Sequence, residues 1–221
     1  MTEETRRAID ILYFYQAHHR TKGLKVVIGL QGEVFFARRY LPVLQDDGPI
    51  SLTMTWAGPN MALTINEAAI QQMEQMGAFV LSDILRKDQP TDFEEHLLRA
   101  VHWIANAEMQ IEPENELLSL MTALEVFFSG SGPITKSVAN GTARILTPLL
   151  PNRKNIRDRL STIYGGRSGV SHGGGKTISQ ADLTYLRRAA LAVVREMIKR
   201  CGEFSAKSKL TAWLADQELS A

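Results

Sequence analysis

Residues 114–128 read ENELLSLMTALEVFF, and Leu117, Leu118, Leu120, Met121, Leu124, Val126, Phe127 and Phe128 leave almost no polar face. A helix that is apolar all round must be covered on every side, which places it at the centre of a bundle. The flanking sequence supplies the cover. Thr91 and Glu94 have capping-box spacing ahead of a helix with Phe93, Leu97, Val101 and Ile104 at helical intervals. Pro113 separates that helix from the central one, and Ser129-Gly130-Ser131-Gly132-Pro133 stops the central one. A third helix is predicted over 135–147, carrying Val138, Ala139, Ile145 and Leu146 and ended by Pro148 and Pro151. Asn152 then caps a fourth, with Ile156, Leu160 and Ile163 and an end at Tyr164. Ser179 and Asp182 open a last long helix striped with Leu183, Leu186, Ala190, Val193, Met197 and Cys201. Residues 91–213 are therefore expected to form an antiparallel helical bundle, with a tail over 214–221.

Residues 1–90 are expected as a small α+β portion preceding the bundle, without an assigned role. Ile9, Leu12, Tyr13 and Ala17 give a helix over 3–19. Two hairpins follow by pattern, Lys25–Leu30 with Glu33–Ala37, and Leu52–Trp56 with Met61–Ile65 across Gly58-Pro59-Asn60. Asn66 caps a helix with Ile70, Met73, Val80 and Ile84 on one stripe, and Asp88-Gln89-Pro90 closes the portion. The fold class is mainly α.

A chain of 221 residues with 44% hydrophobic and 22% charged residues can bury a core of ordinary size. One cysteine excludes an intrachain disulfide and fits a reducing compartment. The first twenty residues lack the shape of a secretory signal, and no run approaches the ~20 apolar residues that span a bilayer. The expectation is a cytoplasmic protein with no membrane partner. The net charge of +1 hides an asymmetry. Residues 1–133 carry 10 Lys and Arg against 18 Asp and Glu, and residues 134–221 carry 15 against 6. Either the basic part meets phosphates, or the two parts neutralise each other across their own interface.

Two kinds of chemistry are excluded by spacing. Gly175-Lys176-Thr177 has the end of a phosphate-binding P-loop, but the glycine required five positions earlier is Val170. His18 and His19 are adjacent, and His96 and His102 are six apart, so neither pair shares a helical face as metal ligands do. No metal and no cofactor are expected. What remains is Arg167-Ser168-Gly169-Val170-Ser171-His172, an Arg-x4-His in the basic part of the chain. Glycines at 165, 166, 169 and 173–175 leave backbone bare enough for a phosphodiester to approach. They also lower helix propensity, so this stretch is expected as a loop or frayed helix start.

The order of these parts carries a resemblance. A helix with Ala123-Leu124-Glu125 is followed by a Val138-Ala139 helix, then Tyr164-x-x-Arg167-Ser168-x-Val170-x-His172-Gly173, then the Asp182-Leu183 helix. Over residues 91–213 this resembles the HEPN superfamily, within it the Apea-like branch. The resemblance implies a helical bundle that pairs as a homodimer and cleaves RNA without metal, as effectors in phage defence or toxin–antitoxin systems do. An antitoxin or sensor protein as partner belongs to the same expectation. It implies Arg167 and His172 as the catalytic pair, with Ser168 in the polar position after the arginine.

The chemistry is consistent with those residue types. RNA carries its own nucleophile in the 2′-OH. A histidine serves as general base or acid near neutral pH, and an arginine fork matches phosphate oxygens. The products would be a 2′,3′-cyclic phosphate and a 5′-hydroxyl. Positions five apart on a regular helix lie about 140° apart around its axis. Either the glycines bend the segment or a second subunit supplies the missing group, and a two-fold dimer would do so. Glu125, inside an apolar run, either orients Arg167 or pairs with Arg144. Tyr164 either packs or contacts a base. Arg157, Arg159, Arg187 and Arg188 are candidates to track an RNA backbone, or else are solvated charges. The second functional reading is a non-catalytic HEPN-like module that dimerises and binds RNA, a nucleotide or a protein.

Overall fold

A computed structural model describes residues 3–18, 38–44, 50–56, 66–129, 132–171 and 178–219, and over 38–44, 50–56, 166–171 and 218–219 it describes the backbone. The described residues are mainly α, with nine helices and one two-stranded ladder. In chain order these are α1 (Glu3–Ala17), β1 (Arg38–Leu44), β2 (Ile50–Trp56), α2 (Glu67–Gln75), α3 (Ala78–Leu85), α4 (Asp92–Met109) and α5 (Pro113–Phe128). They continue with α6 (Ile134–Leu146), α7 (Leu150–Ser171), α8 (Gln180–Lys199) and α9 (Lys207–Leu219).

The all-round apolar segment becomes α5, and α4, α6, α7, α8 and α9 all pack on it. Leu120, Met121, Ala123 and Leu124 are fully buried there. Burying a leucine or methionine side chain contributes roughly 1.5–3 kcal/mol, so this helix anchors the core. Pro113 stands in its first turn, where a missing N–H costs nothing. The capping box of α4 is closed: Thr91 Oγ1 accepts from the Glu94 N–H at 3.2 Å, and Glu94 accepts from the Thr91 N–H at 2.8 Å. Ser179 caps α8 in the same way through the Asp182 N–H at 3.1 Å. Gly141 of α6 faces the ring of Phe128, and a Cβ at that position would fall inside van der Waals contact with it.

A separate N-terminal α+β portion is not supported. Ile11, Phe14 and Ala17 of α1 and Ala78, Leu81 and Ile84 of α3 belong to the same core cluster as the bundle. α1 lies along α4, joined by a two-fold Arg7–Glu95 contact at 3.1 and 3.2 Å. Buried Asp10 and the Nδ1 of His102 are 2.9 Å apart at the same interface. The first expected hairpin, 25–37, lies outside the described residues. The 52–56 arm of the second lies in β2, but its partner is the upstream strand, antiparallel from Arg38↔Trp56 to Leu44↔Ile50. Its other expected arm, 61–65, lies outside the described residues. Alternation sets which residues share a face and leaves the partner open. Pro42 can sit in β1 because a two-stranded ladder has a free edge on each strand.

Three helix boundaries also move. The single stripe expected after Asn66 is broken at Gly77, whose φ of 84° separates α2 from α3 and resets the helical phase. Ile70 and Val80 are therefore exposed at 43% and 38%, while Leu81 and Ile84 are buried. Asn66 does cap α2, accepting from the Ala69 N–H at 2.9 Å. α7 begins at Leu150, so Asn152 lies within its first turn and is not its cap. The same helix runs on to Ser171, where a loop or frayed helix start was expected after Tyr164. Once Leu160, Ile163 and Tyr164 hold a helix in place, each added glycine costs only about 1 kcal/mol relative to alanine. The expected tail is helical to Leu219, and Leu214 packs against the core. Among the described residues no helix is long and apolar enough to cross a membrane.

Candidate functional site

Tyr164 is the last residue of α7 in the core among the described residues. It is 3% exposed and its hydroxyl donates to the Met121 carbonyl at 3.1 Å, so it packs beneath the surface and is not placed to stack on a base. Gly165 next to it faces outward, since a Cβ there would meet nothing within 4 Å. Arg167 and Ser168 follow on the helical backbone of 166–171, and their side chains lie outside the described residues, as does His172. Glu125 is half-buried on α5. Of its two expected partners, Arg144 donates from Nη1 to the Leu214 carbonyl at 3.0 Å and so helps hold α9.

The four arginines expected along an RNA backbone separate into different environments. Arg187 is buried, and its guanidinium stands between the carboxylates of Glu108 on α4 and Glu116 on α5. That corrects its expected surface role: it ties three helices together in the core. Its position was readable, because 187 follows Leu186 and precedes Ala190 by three, on the buried stripe. Arg159 is exposed, lies 4.3 Å from the centroid of the Tyr185 ring and sits 3.6 Å from Asp182. Burial raises the Tyr185 phenol above its ordinary range, and the Arg159 charge opposes that rise. Arg157 is exposed and paired with its neighbour Asp158 at 2.7 Å.

Arg188 is exposed and lines a cleft of about 470 Å³ where α8 meets the end of α6. Arg195 and Lys199 line it from the same helix, and sequence reasoning had passed over both. Ile145, Leu146 and Leu191 give it an apolar floor, and His18 closes one end, its Nδ1 2.9 Å from the Phe14 carbonyl. Among the described residues no carboxylate pairs with Arg188 or Arg195. Glu196 is shared by Lys199 and Arg200 at 3.2 and 3.1 Å. Burial raises the Glu196 carboxyl, and the bonds from Arg200 and Lys199 outweigh that and hold it below its usual range. The signal for the cleft was in the sequence, since positions 188, 195 and 199 share one helical face.

His102 and His96 are engaged locally, with Asp10 and with the Asp92 carbonyl. Among the described residues no group of three His, Cys, Asp or Glu side chains is arranged to hold a metal ion. The chain matches no family model, no curated protein and no solved structure.

Proposed function

We propose that this chain is a cytoplasmic, metal-independent endoribonuclease of the HEPN type, an effector of the kind used in phage defence or toxin systems, with Arg167 and His172 as its catalytic pair. The observation that supports this reading best is the continuation of α7 past Tyr164. It puts Arg167 on a helical backbone two residues past Gly165, where the helix faces open space. The reading takes the site as assembled from two subunits, because positions five apart on one regular helix do not converge on one phosphate. A two-fold pair would place each motif beside its mate and supply two histidines, one per proton transfer. In that site one imidazole takes the 2′-OH proton, the 2′-oxygen attacks phosphorus, and the second imidazole protonates the departing 5′-oxygen. Arg167 holds the phosphate charge that builds between those steps.

The test uses purified protein, a labelled single-stranded RNA and a chelator. Wild type cuts the RNA, and His172→Ala does not while keeping its helical circular dichroism and its mass in solution. Wild type that is monomeric at micromolar concentration and fully active would remove the shared site. A second reading, a module that binds RNA or a nucleotide without cutting it, draws on the uncompensated arginines of the α6–α8 cleft. Binding without cleavage in this same assay would select it.

A further inference from the structure

The α6–α8 cleft has features that a merely solvated helix face lacks. Solvated helix surfaces pair cations with carboxylates three or four residues away, as Arg86 does with Asp83 and Lys199 does with Glu196. Arg188 and Arg195 have no such partner among the described residues. Arg195 instead has Lys199 four residues on, a like-charge spacing that works against the helix. Three cations and one carboxylate therefore face a concave surface with an apolar floor. The small side chain of Ala192, between Arg188 and Arg195 on this face, leaves room between the two guanidinium groups. Along the axis, positions 188 and 195 are separated by ~10 Å and positions 195 and 199 by ~6 Å.

We infer that this cleft is a binding site for the phosphate of a nucleotide, with Arg188 and Arg195 on the phosphate oxygens and the base against Ile145 and Leu191. A guanidinium fork binds phosphate through paired charge-assisted hydrogen bonds and stacks on aromatic planes, which suits both ends of such a ligand. The cleft volume lies in the ordinary range for small-ligand sites. An anion here also removes the repulsion among the three cations. The phosphate can come from a free nucleotide or from an RNA strand, and neither source depends on Arg167 or His172.

The test is equilibrium binding to the full chain, with ADP followed by calorimetry and with a fluorescent 2′-O-methyl oligonucleotide of about 12 residues followed by anisotropy. The 2′-O-methyl probe lacks the nucleophile, so the result is independent of cleavage. Arg188→Ala/Arg195→Ala is compared with Arg86→Ala, an exposed arginine elsewhere. Saturable binding of ADP that the double variant weakens at least about tenfold, and Arg86→Ala does not, supports the site with a free nucleotide as its source. The same pattern with the oligonucleotide alone supports it with an RNA strand as its source. In that case the double variant also lowers the slope of log K against log salt by about 0.7 for each phosphate it no longer neutralises. Absence of binding by wild type, or equal binding by wild type and the double variant, overturns the proposal.

Discussion

Arg187 and Arg188 are neighbours in sequence, one turned into the core and the other to the surface of α8. Arg187 turns inward to Glu108 and Glu116, between α4 and α5. Arg188 turns outward to the cleft at α6, and no carboxylate among the described residues meets it. One residue is ~100° of helical rotation, enough to carry the same side chain from the core to the protein surface. The inner charge is matched by charges from two other helices and belongs to folding. The outer charge meets no carboxylate among the described residues. Local composition near residue 187 gives the same basic reading for both, and tertiary packing separates them.

The largest expected effect lies on the inner face. Arg187→Ala leaves two buried carboxylates facing each other and should destabilise the fold by about 3–5 kcal/mol, read by denaturant unfolding. A loss of under about 0.5 kcal/mol would dissolve the distinction. Next, Gly141→Ala forces a methyl into the Phe128 ring and should cost about 1–3 kcal/mol. Tyr164→Phe removes the bond to Met121 and should cost about 1 kcal/mol while leaving RNA cleavage intact. Loss of cleavage there would show that the residue touches substrate after all.

Acid should also act on the Glu94–Lys87 pair at the start of α4. Burial raises the Glu94 carboxyl, but Lys87 and the Thr91 N–H outweigh it, and the group ends below its usual range. A carboxyl with a depressed folded pKa stabilises above its unfolded pKa of about 4.3 and loses that stabilisation as pH falls through the folded value. Glu94→Gln should therefore lower stability by about 0.5–1 kcal/mol near neutrality, through loss of the Lys87 pair and of the negative charge in the first turn of α4, while the Gln amide oxygen still closes the capping box. The gap to wild type should close as the pH drops below that range. The smallest effect is on the outer face: Arg188→Ala should change stability by less than about 0.5 kcal/mol.

Periodicity and capping made the bundle legible. Thr91, Glu94, Pro113 and Ser179 mark helix starts through backbone donors that each segment must satisfy by itself, so local sequence suffices. The strand partner of 50–56, the packing of α1 on α4 and the two carboxylates that meet Arg187 depend on distant segments coming together, which no local pattern encodes. The break at Gly77 was visible as a glycine but read as part of a stripe, because a helix tolerates an isolated glycine at modest cost. Of the candidate site, the sequence placed Arg167 beyond the end of the fourth bundle helix, in a loop or frayed helix start, whereas the helix runs through it to Ser171. The sequence reading missed Arg195 and Lys199, whose shared face appears when α8 is read for charge as well as for apolar residues.

The claim that the 167–172 segment cleaves RNA is tested most directly by the chemical ends of the cut. A single-stranded RNA incubated with wild type and excess chelator should yield a 2′,3′-cyclic phosphate and a 5′-hydroxyl, resolved by mass spectrometry, with neither formed by His172→Ala. Intact RNA, or ends bearing a 3′-hydroxyl and a 5′-phosphate, would contradict the account.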